Sequence, residues 1–265
     1  MRVTLIGAQG FVGSAFARFL RRRAALELIE VTRQNYAGAT GNPSDVVIET
    51  ACNSRKYLAD QQPVAEFNSS VAHRLRTLHD FPAALHLQIS SVDVYNDLAS
   101  DKTTREDVAI DPAKVSHYGL HKLLAEALVR HYASRWLIVR LAGMVGPGLR
   151  KNPVFDILNG QSLRIHPDSR YQFMHTDDVA RIVWGLVETG QAGDVFNVCG
   201  DGLISPRRIA ELASRSLNLS LLSSDVAPRV VNANIEKIRR LAAVPRSEDA
   251  VRGFLRELAS TPSMP

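Results

Sequence analysis

The sequence predicts an α/β chain: a doubly wound, mainly parallel sheet with helices on both faces and a small, discontinuous C-terminal lobe. Three observations predict it. A β-rich run at the N-terminus passes through a glycine-rich turn straight into an amphipathic stretch; short apolar runs then recur as buried parallel strands do; and stretches of helical period separate them. With 265 residues, 45% hydrophobic and 22% charged, the chain can bury a full core. Cys52 and Cys199 stand far apart, which argues against a disulfide framework or a metal site and fits a reducing cytoplasm. Arg2 and the apolar residues after it imitate a leader, but Gly7, Gly10, Gly13 and Arg18 interrupt the run, and no stretch is long enough to span a membrane. The net charge of +5 and the Arg21-Arg22-Arg23 run come without aromatic-basic patterning, so no nucleic-acid partner is expected.

Taken in order, residues 2–6 form the first strand and 14–22 a helix, with Gly7-x-x-Gly10-Phe11-x-Gly13 between them. In that context the turn is a dinucleotide-binding candidate. Gly7 permits the tight turn, Gly10 lets the backbone approach a pyrophosphate at the helix N-terminus, and Gly13 lets the helix pack on the strand. The next strand, 26–31, ends at Thr32-Arg33. A site for NAD usually carries an acid there to accept from the ribose hydroxyl; Thr32 takes that place and Arg33 follows, which favours NADP and leaves NAD open. Strand 45–48 comes next, with 49–53 on its ligand side. The link from 35 to 45 is too short for a crossover helix and strand, so the sheet is expected to be trimmed at its adenine edge. A helix over 64–79 carries Asn68, and 85–90 is a further buried strand.

That strand ends in Ser90-Ser91-Val92-Asp93-Val94-Tyr95, where a hydroxyl can reach a ligand. Residues 96–114 are polar and read as a lid. Then Tyr118 and Lys122, one helical turn apart, share a face. A phenol titrates near pH 10, roughly, and needs a cation to work as an acid-base group at neutrality; Lys122 is expected to lower it. The spacing alone is also that of an ordinary surface pair. His117 and His121 point to other faces.

With strand 136–140 the pattern as a whole resembles the extended short-chain dehydrogenase/reductase superfamily, the NAD(P)-dependent epimerase/dehydratase group acting mostly on nucleotide sugars. The matching pieces are Gly7-x-x-Gly10-x-x-Gly13, Asp45-Val-Val-Ile, Ser90-Ser91-x-x-Val94-Tyr95, Tyr118-x-x-x-Lys122, Arg140-x-x-x-x-x-Gly146-Pro147 and Phe173-Met-His175-Thr-Asp177-Asp178. The resemblance implies a Rossmann-type domain over 1–141, rejoined by 171–197, and a substrate lobe from 142–170 and 198–265. It implies that Ser91 binds the substrate carbonyl or hydroxyl, that Tyr118 does acid-base work and that Lys122 holds the nicotinamide ribose. Asn68 is implied beneath the site, Asp177 and Asp178 as a helix cap that fixes the lobe, Phe173 and His175 as interface residues, and a homodimer through the Tyr118 helix is usual.

Departures narrow the chemistry. Dehydratases of the group follow the hydroxyl residue with two acids; here Val92 replaces the first, which argues against elimination and leaves Asp93 to cap or orient. Gly143 and Tyr171 stand where an asparagine and an arginine often serve the nucleotide of the substrate. Arg150, Lys151 and Arg164 are then the candidates for an anionic diphosphate. The expected activity is NADPH-dependent reduction of a keto group on a nucleotide-linked 6-deoxysugar. The alternatives are an NAD-dependent 4-epimerase and a non-catalytic cofactor-sensing regulator on the same fold.

Overall fold

The computed structural model describes residues 1–53 and 55–260; residues 261–265 of the expected lobe lie outside them. Strand β1 (Arg2–Ile6) leads into helix α1 (Phe11–Arg21), and β2 (Glu27–Val31) returns beside it. One short helix, α2 (Tyr36–Ala39), precedes β3 (Ser44–Glu49). The chain then runs through α3 (Tyr57–Gln61), α4 (Pro63–Phe67), a wide π-type turn (Asn68–Ala72) and α5 (His73–Asp80) to β4 (Ala83–Ser91). Next come α6 (His117–Tyr132), β5 (Trp136–Leu141), β6 (Gly143–Val145), α7 (Pro153–Leu158), β7 (Arg170–Tyr171), β8 (Phe173–His175), α8 (Thr176–Glu188) and β9 (Asp194–Val198). The last elements are α9 (Pro206–Ala213), β10 (Val230–Val231), α10 (Glu236–Arg239) and α11 (Ser247–Ser260).

Six parallel strands form one sheet in the order β2-β1-β3-β4-β5-β9. Its hand-over from β2 to β3 holds only α2, so β2 stays at the edge and is half-exposed, as the short link required. The period of two divides each strand between two cores. Leu137, Val139 and Leu141 of β5 join Phe16, Leu20 and Trp184 under α1 and α8, whereas Ile138 faces Leu78 and Val129 under α5 and α6. Each such side chain, fully buried, stabilises the fold by about 1.5–3 kcal/mol. That is why neighbouring residues of one strand hold helices on both faces.

A buried ion pair sets the position of α6. Arg140 on β5 donates two hydrogen bonds to Glu126, at 2.8 and 3.0 Å, and Ser90 on β4 donates a third at 2.6 Å. Glu126 lies one turn beyond Lys122, so this clamp fixes the height of the Tyr118 face over the ends of β4 and β5. A separate apolar cluster gathers Val145, Val154, Phe173, Ile209, Val251 and Phe254 from β6, α7, β8, α9 and α11. There β6 pairs with β8, and Gly143 is required by the packing: a Cβ would lie 2.6 Å from the Gln172 carbonyl oxygen and 2.9 Å from the Phe173 ring. An asparagine does not fit at that position.

Segment 96–114 is not the lid expected of it. Thr104 is fully buried; its hydroxyl donates to the Asn232 carbonyl and accepts from the Asn234 amide, while its own carbonyl accepts from the Asn197 side chain. Asn96 and Asp111 close the segment with reciprocal bonds of 2.8 Å. A loop so fastened at its middle and its base is part of the frame.

Candidate active site

The glycine turn has the geometry that a dinucleotide requires. Gly7 has φ +83°, and a Cβ there would lie 2.7 Å from the Ala51 amide; at Gly13 it would lie 2.1 Å from the Gly7 carbonyl oxygen. Thr50 at the end of β3 donates to the Ile6 carbonyl at 2.7 Å and so ties the turn to the sheet, a role with no signal in the sequence. Helix α1 opens at Phe11 behind Gly10, with no capping side chain and no acid in its first turn. Its N-terminal amides and dipole suit an anion, so these residues fit a dinucleotide pyrophosphate. At the end of β2 the Thr32 amide and hydroxyl both donate to the Asn35 side chain, and Arg33 is exposed with no ion-pair partner among the described residues.

Ser91, Tyr118 and Lys122, separated in sequence, are brought together at the C-terminal ends of β4 and α6's first turns. Ser116 caps α6 by accepting from the Gly119 amide at 3.1 Å. Gly119 then lets the helix lie against the turn after β4: a Cβ on it would be 2.2 Å from the Asp93 carbonyl oxygen. This contact sets the Tyr118 turn of α6 against the turn that carries Asp93, to which Ser91 is bonded. The Lys122 ammonium lies 5.5 Å from the Tyr118 ring centroid and donates to the Cys52 sulfur at 2.7 Å.

Lys122 acts on Tyr118 in the expected direction, but burial outweighs it. Burial pushes the Tyr118 phenol well above its ordinary value, and Cys52, Asp93 and Glu66 add to the push. Burial also disfavours the Lys122 ammonium, yet Cys52, Tyr118 and Glu66 raise it overall. At neutral pH the pair is therefore a protonated phenol beside a cation. Lys122 moderates the acid without ionising it.

Asp93 is committed within the site. Ser91 donates to its Oδ2 at 2.7 Å, and the Lys56 ammonium sits 2.5 Å from the same oxygen and 5.8 Å from the Tyr118 ring. Burial alone would raise this carboxyl, but Lys56, the Ser91 hydroxyl and Arg229 hold it below the usual range. Lys56 was not foreseen, because nothing local marks it in the polar stretch after β3. Of the three cations expected to serve a diphosphate, only Lys151 comes within electrostatic reach of Lys122 and Lys56. Arg164 acts on Asp156 instead, and Arg150 and Lys151 are both exposed.

Three other residues, Asn68, Asp177 and Asp178, differ from expectation. Asn68 is exposed; the buried polar group of that region is Glu66, which accepts from Ser70 and pairs with His121. The wide turn at Asn68–Ala72 takes an extra residue per turn, so a register counted at 3.6 fails there. Asp177 and Asp178 lie in the first turn of α8, but its cap is His175, whose Nδ1 accepts from the Asp177 amide. Asp177 binds Arg18 of α1 at 2.6 Å and so joins two helices on the same face of the sheet. His117 is exposed and bonds Asp60. Among the described residues no cluster of His, Cys, Asp or Glu could hold a metal, and no helix is long and apolar enough to cross a membrane.

Fold and site together define a dinucleotide-dependent oxidoreductase of the short-chain type. The chain belongs to the NAD dependent epimerase/dehydratase family, whose sequence profile matches residues 42–199. Among characterised proteins it is similar to the low-salt glycan biosynthesis protein Agl12 of Haloferax volcanii, 25% identical over 252 residues, covering 77% of this chain and 78% of that protein. Among solved structures it resembles a UDP-glucuronic acid 4-epimerase from Bacillus cereus, with a TM-score of 0.80, 18% identity and coverage of 97% and 100%. A dTDP-4-dehydrorhamnose reductase from Clostridium acetobutylicum gives a TM-score of 0.80, 18% identity and coverage of 98% and 100%.

Proposed function

We propose that the protein is an NADPH-dependent reductase of a keto group on a nucleotide-linked 6-deoxysugar. The observation that carries this reading is the protonated, buried Tyr118 phenol with the Lys122 ammonium 5.5 Å from its ring, on the helix turn that packs against the turn of Ser91 and Asp93. A reduced nicotinamide supplies the hydride. As charge develops on the carbonyl oxygen, Tyr118 delivers its proton and Lys122 stabilises the phenolate left behind. An acid already protonated at neutral pH suits reduction. Exposed Arg33, with no ion-pair partner among the described residues, beside Thr32 and with no acid at that strand end, supports NADP over NAD. The apolar cluster of α7, β8, α9 and α11 would then be the substrate lobe. The free thiols Cys52 and Cys199 support a cytoplasmic setting, and exposed Val64, Phe67 and Leu124 support pairing of two copies across α4 and α6.

One observation favours a second reading, an NAD-dependent 4-epimerase. Ser91 gives its proton to Asp93, so its oxygen is placed to accept from a substrate hydroxyl, the group that an epimerase oxidises first. A turnover screen of NADPH and NADH against keto sugars, with and without attached nucleotide, separates the two. The reductase oxidises NADPH stoichiometrically with a keto sugar, and Tyr118→Phe lowers that rate on the order of 10²–10⁴-fold while cofactor still binds. Retention of NAD through dialysis with no NADPH oxidation would overturn the reductase reading in favour of the epimerase.

A further inference from the structure

We propose that Lys56 is a positioning residue for the reduction: by holding the Asp93 carboxylate it frees the Ser91 hydroxyl to turn and donate its hydrogen bond to the substrate carbonyl. The inference deepens the reading of Ser91, Tyr118 and Lys122 as the reacting centre and rests on it. Two donors converge on one oxygen, Asp93 Oδ2: the Ser91 hydroxyl at 2.7 Å and the Lys56 ammonium at 2.5 Å. The Asp93 amide in turn donates to the Ser91 oxygen at 3.2 Å. A hydroxyl has one proton and two lone pairs, so Ser91 keeps a single lone pair for a substrate. That orientation suits an incoming hydroxyl. A carbonyl oxygen is itself an acceptor, and it meets a lone pair until the Ser91 proton turns away from Asp93.

Whether Ser91 can turn depends on what Asp93 keeps when it does. The Asp93 side chain is only 10% exposed, so water does little to replace a lost donor, and a buried acceptor stripped of its partners is costly. A carboxylate oxygen accepts two hydrogen bonds, and with Lys56 on it Oδ2 stays satisfied after Ser91 has turned. Without Lys56, Ser91 is the side chain left donating to that oxygen, through a charge-assisted bond about twice as strong as a neutral one. Arg229 acts on the same carboxyl by charge alone. An exposed ion pair ordinarily contributes little, and the Lys56 side chain is 61% exposed. Two features set this pair apart: its acid is nearly buried, and the Lys56 ammonium lies 5.8 Å from the Tyr118 ring. With Asp93 held, Ser91 and Tyr118 meet the carbonyl oxygen as two donors, whose bonds strengthen as negative charge develops there.

Steady-state NADPH oxidation by the whole protein, with thymidine- and uridine-diphosphate-linked 4-keto-6-deoxyhexoses, tests this in a double-mutant cycle. Lys56→Met should lower kcat about 10–100-fold, as one charge-assisted hydrogen bond warrants. KM should change much less, because the Ser91 bond to the carbonyl oxygen counts for most in the transition state. Lys56→Arg, which keeps a cationic donor for Asp93, should retain most of the rate. In a Ser91→Ala background Lys56→Met should cost less than about threefold, since no hydroxyl is left to free. An equal loss from Lys56→Met in the wild-type and Ser91→Ala backgrounds overturns the proposal, because Lys56 would then act on substrate or cofactor without Ser91. An unchanged kcat in Lys56→Met, with the wild type turning over, also overturns it and leaves the reductase reading standing. A wild type that oxidises no NADPH with either sugar overturns both.

Discussion

In the proposed reaction the proton sits on the Tyr118 phenol, and its hold is set by burial and by four neighbours, Lys122, Cys52, Asp93 and Glu66. Lys122 favours the phenolate, whereas Cys52, Asp93 and Glu66 oppose it, with burial the largest influence of all. Glu66 is informative because it touches neither ring nor substrate face; it lies behind the pair, bonded to Ser70 and His121. It is a positioning residue with an electrostatic signature. Glu66→Gln keeps the shape and an acceptor for Ser70 while removing the negative charge. The phenol then ionises more readily, so the alkaline limb of the pH–rate profile moves to lower pH. The same change weakens the support for the Lys122 ammonium, which Glu66 also raises. A variant with lowered kcat at every pH and an unmoved alkaline limb would show that Glu66 serves only the fold.

Helix α6 brings this chemistry to the strand ends because two contacts fix it, one at each end of its active face. The Arg140–Glu126 clamp sets its height, and Gly119 sets its approach to the turn carrying Ser91 and Asp93. Gly119→Ala places a methyl 2.2 Å from a backbone oxygen, which no rotamer can relieve. Overpacking of this kind costs about 1–3 kcal/mol, and a displacement of about 1 Å at a reacting centre costs on the order of 10²-fold in rate. Reduced kcat/KM and a lower melting temperature are therefore expected together. Gly185→Ala on α8, where a Cβ meets nothing within 4 Å, is the control and should be neutral or stabilising by about 0.5–1 kcal/mol. Equal effects of the two substitutions would remove the argument for close approach. Tyr118, Lys122 and Ser91 were legible beforehand because helical period and strand ends announce them. Gly119 and Lys56 were not, since each acts on Asp93 across a distance that only strand order closes.

At the scale of the whole molecule, the parallel sheet and its trimmed edge could be read from apolar runs and one short link, but its buried polar seam could not. Between the sheet and α5 lie Glu49, His86, Gln88 and the fully buried Arg74, residues that a pattern of apolar periods treats as interruptions. Arg74 stands 3.7 Å from Glu49, with His73 close to the same carboxylate, and the His86 Nδ1 has no hydrogen-bond partner among the described residues. Burial first, and the Arg74 charge second, lower the His86 imidazole to about 4. The sign follows from linkage. In the unfolded chain His86 takes up its proton near pH 6.5, roughly the ordinary value, but in the folded protein only near 4, so acidification through that window favours unfolding. Above it the native state carries no penalty from this residue. Between pH 7 and 4.5 the loss attributable to His86 is about 2–3 kcal/mol. Carboxylates such as Asp93, also held low in the native state, lose stability over acidic pH too, so the comparison needs a variant rather than a single curve. Urea unfolding of the wild type and His86→Gln at both pH values isolates the term. The wild type should lose about 2 kcal/mol more than the variant, whatever their difference at pH 7. Parallel losses in the two proteins would mean that His86 is already solvated in the native state and that the seam admits water.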